Sequence, residues 1–198
     1  MMILMLITLF RSYQFDFFED STVHFSKGIG FFTLVFIILY LGTRPVSYVF
    51  QDMAAYTEVY RQIQDGGKIF VTRDYLFNYF MIFSAKIMGE RWFFFLCGLI
   101  YIIPCYVFAK KYGGSYWYYV FFIFVASYMF WPFGTNGIRN GLGTSLFILA
   151  LSYYERKVLM YGLMVLAFGM HSSLSIPILA FVIANMYKNP KAYLYVWL

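Results

Sequence analysis

The chain has 198 residues, of which 62% are hydrophobic, 25% aromatic and only 12% charged, with a mean hydropathy of +0.68. So little polar side chain cannot cover a soluble domain, and the composition predicts an all-α, polytopic transmembrane helix bundle in which about 20 apolar residues make each crossing. The net charge of +6 would suggest nucleic acid in a soluble protein, but here Lys and Arg sit mostly in short connections between apolar runs. They orient helices in a bilayer, and no nucleic-acid partner is expected.

In chain order, residues 1–10 are apolar, with neither a basic leader before them nor a small-residue cleavage site after them. They predict a partial first span rather than a secretory signal. Further spans are predicted at 28–43, 92–109, 115–133, 137–154, 158–170 and 172–187, all within a single integral membrane domain over 1–198. Several are short, and Tyr116, Trp117, Tyr118, Tyr153, Tyr154 and Tyr187 fit an interfacial aromatic belt that would carry their ends. The tail 192–198 has the character of a further span just begun. Cys97 and Cys105 fall inside one apolar run, where thiols are buried and inert, so neither a disulfide framework nor a metal site is indicated.

The one long polar stretch, 44–91, is nearly balanced in charge. Within it, Met53, Tyr56, Val59, Tyr60 and Ile63 recur at helical spacing and predict an amphipathic helix over 52–63 that ends at Asp65, Gly66 and Gly67. Residues 75–85 are apolar but too few to cross, which predicts a re-entrant or interfacial helix. Lys110 with Lys111, Arg156 with Lys157, and Lys188 with Lys191 occupy alternate connections. All three pairs therefore belong on the cytoplasmic side, and 44–91, 134–136 and the turn at His171 belong outside.

Every candidate functional residue lies on that outer side. The turn from Gly134 to Asn136 leads straight into an apolar helix. Asn136 can cap that helix, and Arg139 in its first turn meets backbone N–H groups and a helix dipole that favour an anion. Gly137 and Gly141 also form a GxxxG pattern, so the same turn reads alternatively as a packing seam with a snorkelling arginine. His171 sits at the reversal between two apolar helices, where it could move a proton near neutral pH or simply hold a turn. Ser172 or Ser173 can cap the following helix, which Pro177 bends or begins. Arg44, Asp52 and Tyr56, followed by Arg61, Arg73 and Asp74, suit phosphates and sugar hydroxyls, or form a solvated loop with incidental ion pairs. No phosphate-binding glycine loop, HExxH motif, CxxC pair or intramembrane carboxylate relay is present in the sequence.

Four landmarks in order carry a family resemblance: Arg44 followed by the DxxxY element Asp52 to Tyr56; Asp74 opening an aromatic helix; Gly137, Arg139 and Asn140 starting a central span; and His171 with Ser172 ending the next. On these the chain resembles the EpsG family of Wzy-type exopolysaccharide and O-antigen polymerases. It has Asn140 where the family usually has Gln, and it reads as a C-terminally shortened member.

The resemblance implies metal-independent and cofactor-free glycosyl transfer on the outer face of a bacterial inner membrane. The enzyme would join undecaprenyl-diphosphate-linked oligosaccharide repeat units, with other polysaccharide assembly proteins as possible partners besides the lipid bilayer. It assigns Arg139, Arg44 and Asn140 to the lipid diphosphate, His171 or Asp52 to orienting or deprotonating the acceptor hydroxyl, and Tyr56, Asp74 and Arg73 to the sugar. A lipid-linked oligosaccharide flippase and a noncatalytic scaffold of the assembly system are the alternatives. Charges clustered near one end of the helices favour the polymerase over the flippase. If the three basic pairs share the inner side, cysteines placed at Tyr112 and Lys157 are shielded from an impermeant thiol reagent in intact cells while one at Thr135 reacts; the reverse pattern would invert the topology.

Overall fold

The computed structural model describes residues 20–67, 71 and 73–187. The predicted partial span 1–10, Lys188, Lys191 and the tail 192–198 lie outside them. The described residues are helical, with no strand among them. In order, the α-helices are α1 (Asp20–Thr43), α2 (Gln51–Gln64), α3 (Tyr75–Ala85), α4 (Glu90–Gly113), α5 (Trp117–Ala126), α6 (Phe130–Thr135), α7 (Ile138–Ser152), α8 (Lys157–Met170) and α9 (Ser175–Met186), with short 3-10 turns at Gly114–Tyr116 and Ser172–Leu174.

α4 is the central element, packed against α1, α5 and α7, while α7 packs along α8. The stretch Glu90–Ala126 is the one among the described residues long and apolar enough to cross a membrane. It folds back at Gly114, whose φ of 52° is open to glycine without a Cβ penalty, and the return sets Tyr106 edge-on to Trp117 and Phe108 edge-on to Phe124. Cys97 and Cys105 are free and buried along α4.

α2 is amphipathic as its spacing predicts, burying Met53, Thr57 and Tyr60. It ends in a Schellman motif, in which the N–H of Gly66 reaches the Ile63 carbonyl and that of Gly67 the Gln62 carbonyl at 2.8 Å, with Gly66 left-handed at φ 84°. Arg61 then grips Glu90 with two 2.8 Å hydrogen bonds, and Tyr60 donates to the Met88 carbonyl. The loop is thereby tied to the start of α4. α3 has 11 residues, about 16 Å of helix, and falls well short of a bilayer core.

The continuous span predicted over 115–133 is broken. α5 stops at Ala126, Ser127 is extended, and a separate α6 starts at Phe130. Pro132 is the cause: it has no N–H to donate back to Tyr128, and its ring would clash there in an unbroken helix. Side chains brace the break on both sides, as Trp131 donates its indole N–H to the Val125 carbonyl at 3.0 Å and Tyr101 its hydroxyl to the Phe130 carbonyl at 2.8 Å.

The elbow between α6 and α7 is tight. A Cβ on Gly141 would lie 2.5 Å from the Phe133 carbonyl oxygen, so the glycine pattern is a packing seam against α6. Gly141→Ala is expected to lower the thermal unfolding midpoint by the equivalent of about 1–3 kcal/mol of overpacking. Gly162→Ala, where a Cβ meets open space on α8, should be neutral or slightly stabilising; equal midpoints for the two variants would contradict the seam.

Candidate functional site

Asp74 lies just before α3, its side chain 3% exposed and its backbone left-handed at φ 51°. That conformation is unfavourable for a residue with a Cβ, though less so for Asp. Asn78, one turn into α3, holds the turn by donating its amide to the carbonyls of Arg73 at 2.7 Å and Asp74 at 3.1 Å. The carboxylate thus turns away from its own helix, which it does not cap, and reaches across the bundle.

Three donors meet it. Oδ1 accepts the backbone N–H of Ser172 at 2.9 Å. Oδ2 takes Nη1 of Arg139 at 3.0 Å and faces Nδ1 of His171 at 3.1 Å. Arg139 also donates Nε–H to the Tyr56 hydroxyl at 2.6 Å and lies over that ring. One carboxylate therefore joins α2, the start of α7 and the turn after α8. Burial pushes the Asp74 carboxyl up, but the Ser172 N–H, His171 and Arg139 outweigh it and hold the group below its ordinary range. Tyr56 is pushed up, first by burial and then by the charges of Asp52 and Asp74 against the opposing Arg139, so it stays a phenol with a proton to give.

A family model for the EpsG family matches residues 29–198. The chain belongs to the EpsG family. Membership is consistent with an exopolysaccharide-related role, and the match includes every residue of the cluster. Neither a search of curated proteins nor one of solved structures finds a match.

The EpsG landmarks divide into two groups. Tyr56, Asp74, Arg139 and His171 are brought together. Arg44 is not: its guanidinium donates to the carbonyls of Gly134 and Thr135, with Nε toward the Met53 sulfur at 3.4 Å, so it satisfies the end of α6. Nor does Arg44 pair with Asp52. Asn136, expected to cap its own helix, instead accepts the Asp52 N–H at 2.9 Å and caps α2, while α7 has Gly137 at its N-cap with no side-chain bond. Asp52 is half-buried one turn before Tyr56. Asn140 stands beside Arg139 within 3.5 Å of the Thr144 hydroxyl, and the Arg73 side chain is exposed at the rim. Ser172 and Ser173 do not cap α9, which starts at Ser175 with no side-chain cap; Pro177 falls in its first turn and marks a helix start.

Sequence reasoning missed the bracing by Asn78 and the cap by Asn136. A lone amide in the apolar run of α3 was the available signal for the first. The sign of the pH dependence follows from Asp74. Its folded-state pKa lies below the unfolded one, so its contribution to stability is complete above the ordinary carboxylate range. It is lost as pH falls below about 4 toward the folded value. Thermal midpoints measured across that range should fall more steeply for the native chain than for Asp74→Asn; parallel curves would contradict the assignment.

Proposed function

We propose that this EpsG-family chain is a multi-pass membrane glycosyltransferase of the polysaccharide-polymerase type. It joins undecaprenyl-diphosphate-linked oligosaccharide units on the outer face of a bacterial inner membrane. The observation that carries this reading is the sharing of one buried carboxylate by His171 and Arg139. That places a group able to take a proton beside one able to hold a phosphate, at the end of the bundle away from Lys111 and Arg156.

In the proposed transfer, the acceptor sugar hydroxyl attacks the anomeric carbon of the donor chain, and its proton passes to the imidazole of His171. The bond between that carbon and the diphosphate oxygen breaks, and the lipid diphosphate leaves with the electron pair. Arg139 has Nε on Tyr56 and Nη1 on Asp74, which leaves Nη2 to hold the leaving oxygens as their charge grows. Tyr56 accepts the hydrogen bond of Arg139 Nε–H, so its own hydroxyl proton is available to a phosphate or sugar oxygen. Asn140 adds an amide in the same first turn, and Arg73 offers a cation to the sugar at the rim. Arg44 and Asp52 act from beneath: Arg44 secures the α6–α7 elbow, and the Asp52 charge reinforces the neutral state of Tyr56.

Arg139→Lys keeps the charge but loses the planar fork. Polymerisation by that variant is expected to drop about tenfold to a hundredfold, the equivalent of one charge-assisted contact of about 1.5–3 kcal/mol, with a normal amount of protein in the membrane. Polymer profiles from a deletion strain complemented with each form are the measurement, and near-native polymer from Arg139→Lys would remove the diphosphate role.

A further inference from the structure

We infer that Asp74 is the positioning residue for His171: it accepts the hydrogen bond of the ring Nδ1–H, fixes the neutral imidazole as the Nδ1–H tautomer, and leaves Nε2 as the proton-accepting atom. The inference rests on the reading of His171 as the base.

The hydrogen-bond inventory at the carboxylate decides the tautomer. Oδ1 is taken by the Ser172 N–H at 2.9 Å and Oδ2 by Arg139 Nη1 at 3.0 Å. Both are obligate donors, and a proton on either oxygen would compete with one of them, so Asp74 is ionised and only accepts. Its low carboxyl pKa agrees. His171 Nδ1 stands 3.1 Å from that same Oδ2. Were Nδ1 unprotonated, its lone pair would face an anionic oxygen at hydrogen-bond distance in a buried setting; protonated, it makes a charge-assisted bond. Nε2 has no hydrogen-bond partner among the described residues, and the side chain is 27% exposed, so the second nitrogen is the one open to an acceptor hydroxyl.

The grip has two points. Oδ2 holds the ring of residue 171 while Oδ1 holds the backbone of residue 172. The peptide of His171 is itself fixed, with its N–H on Ala167 and its carbonyl accepting from Leu174. Position, rotation and tautomer of the imidazole are thus set by one side chain that need not touch substrate. Asn78, by bracing the left-handed turn at Asp74, supports the same geometry.

The chain has only two histidines, His24 and His171, so the tautomer can be read directly. The full chain, labelled with 15N-histidine and held in lipid nanodiscs at a pH where the rings are neutral, is compared with His24→Gln to assign the signals. The expected result is a protonated Nδ1 and an unprotonated Nε2 at His171 in the native chain. In Asp74→Asn, which can no longer offer two acceptor oxygens, the ring is expected to move toward the Nε2–H form. Polymerisation by Asp74→Asn should fall about 100-fold or more, the usual scale of a lost general base, with no further loss when His171→Gln is added. An Nε2–H tautomer at His171 in the native chain overturns the inference whatever the polymer profile, and needs no variant that might fail to fold. An Nδ1–H tautomer together with full polymer from His171→Gln overturns instead the reading of His171 as base, and with it the positioning role.

Discussion

A carboxylate has to be kept ionised inside an apolar helix bundle, and much of the architecture around the site answers that requirement. Asp74 is the one charged side chain among the buried residues described. Removing an ion from water costs several kcal/mol even after relaxation, and a charge-assisted hydrogen bond returns about 1.5–3 kcal/mol. One donor is therefore too few. The set that offsets the cost comes from α7 and from the turn after α8, 65 to 98 residues further along the chain. The apolar face of α2 packs the loop 44–91 onto the bundle, and the donor set fixes where Asp74 sits on it.

A second set of polar contacts makes that meeting geometrically possible. The break at Pro132 leaves α6 as six residues whose last carbonyls need donors. Arg44 supplies them at Gly134 and Thr135, and Asn136 turns outward to cap α2 at Asp52. Gly141 lets α7 start directly against α6. The elbow is held from both sides, so Arg139 in the first turn of α7 is aimed at Asp74 and Tyr56 instead of lying along the surface. The packing reading of this turn holds for Gly141, while Arg139 pairs inward with Asp74 and Tyr56 instead of snorkelling outward.

Hydrophobic periodicity and punctuation made most helices legible. The 75–85 segment, the amphipathic face of α2 and its stop at Gly66 and Gly67 all follow from short-range rules that act within a turn or two. The break inside 115–133 was signalled by Pro132 but masked by the apolar run around it. At the site, Arg139 and His171 stood out singly because polar and charged groups are costly beside apolar helices, and Tyr56 and Asp74 as landmarks of the family resemblance in the polar stretch 44–91. Their joining on one carboxylate did not, since no local rule links residues so far apart. Arg44 and Asn136 show the same limit from the other side: each serves a backbone group of a distant segment, and a side chain read only against its neighbours in sequence is credited to the wrong helix.

The distribution of polar groups through the bundle bears on what kind of work it suits. Four buried hydroxyls are absorbed by backbone carbonyls, Thr33 by Ile29, Thr57 by Met53, Ser145 by Tyr101 and Ser152 by Ile148, while those of Ser84 and Tyr118 have no partner among the described residues. They form no ladder along which a charged headgroup could be handed through the interior. Near the far end of α4, Lys111 meets Glu155 at 3.5 Å beside Arg156, a surface pairing of small energetic weight. The linked charged groups Asp74, Arg139 and His171 thus sit together at one face, with a mainly apolar interior behind them. Under the proposed function, that arrangement fits chemistry on a lipid-held substrate presented at that face better than carriage of the substrate from one side to the other.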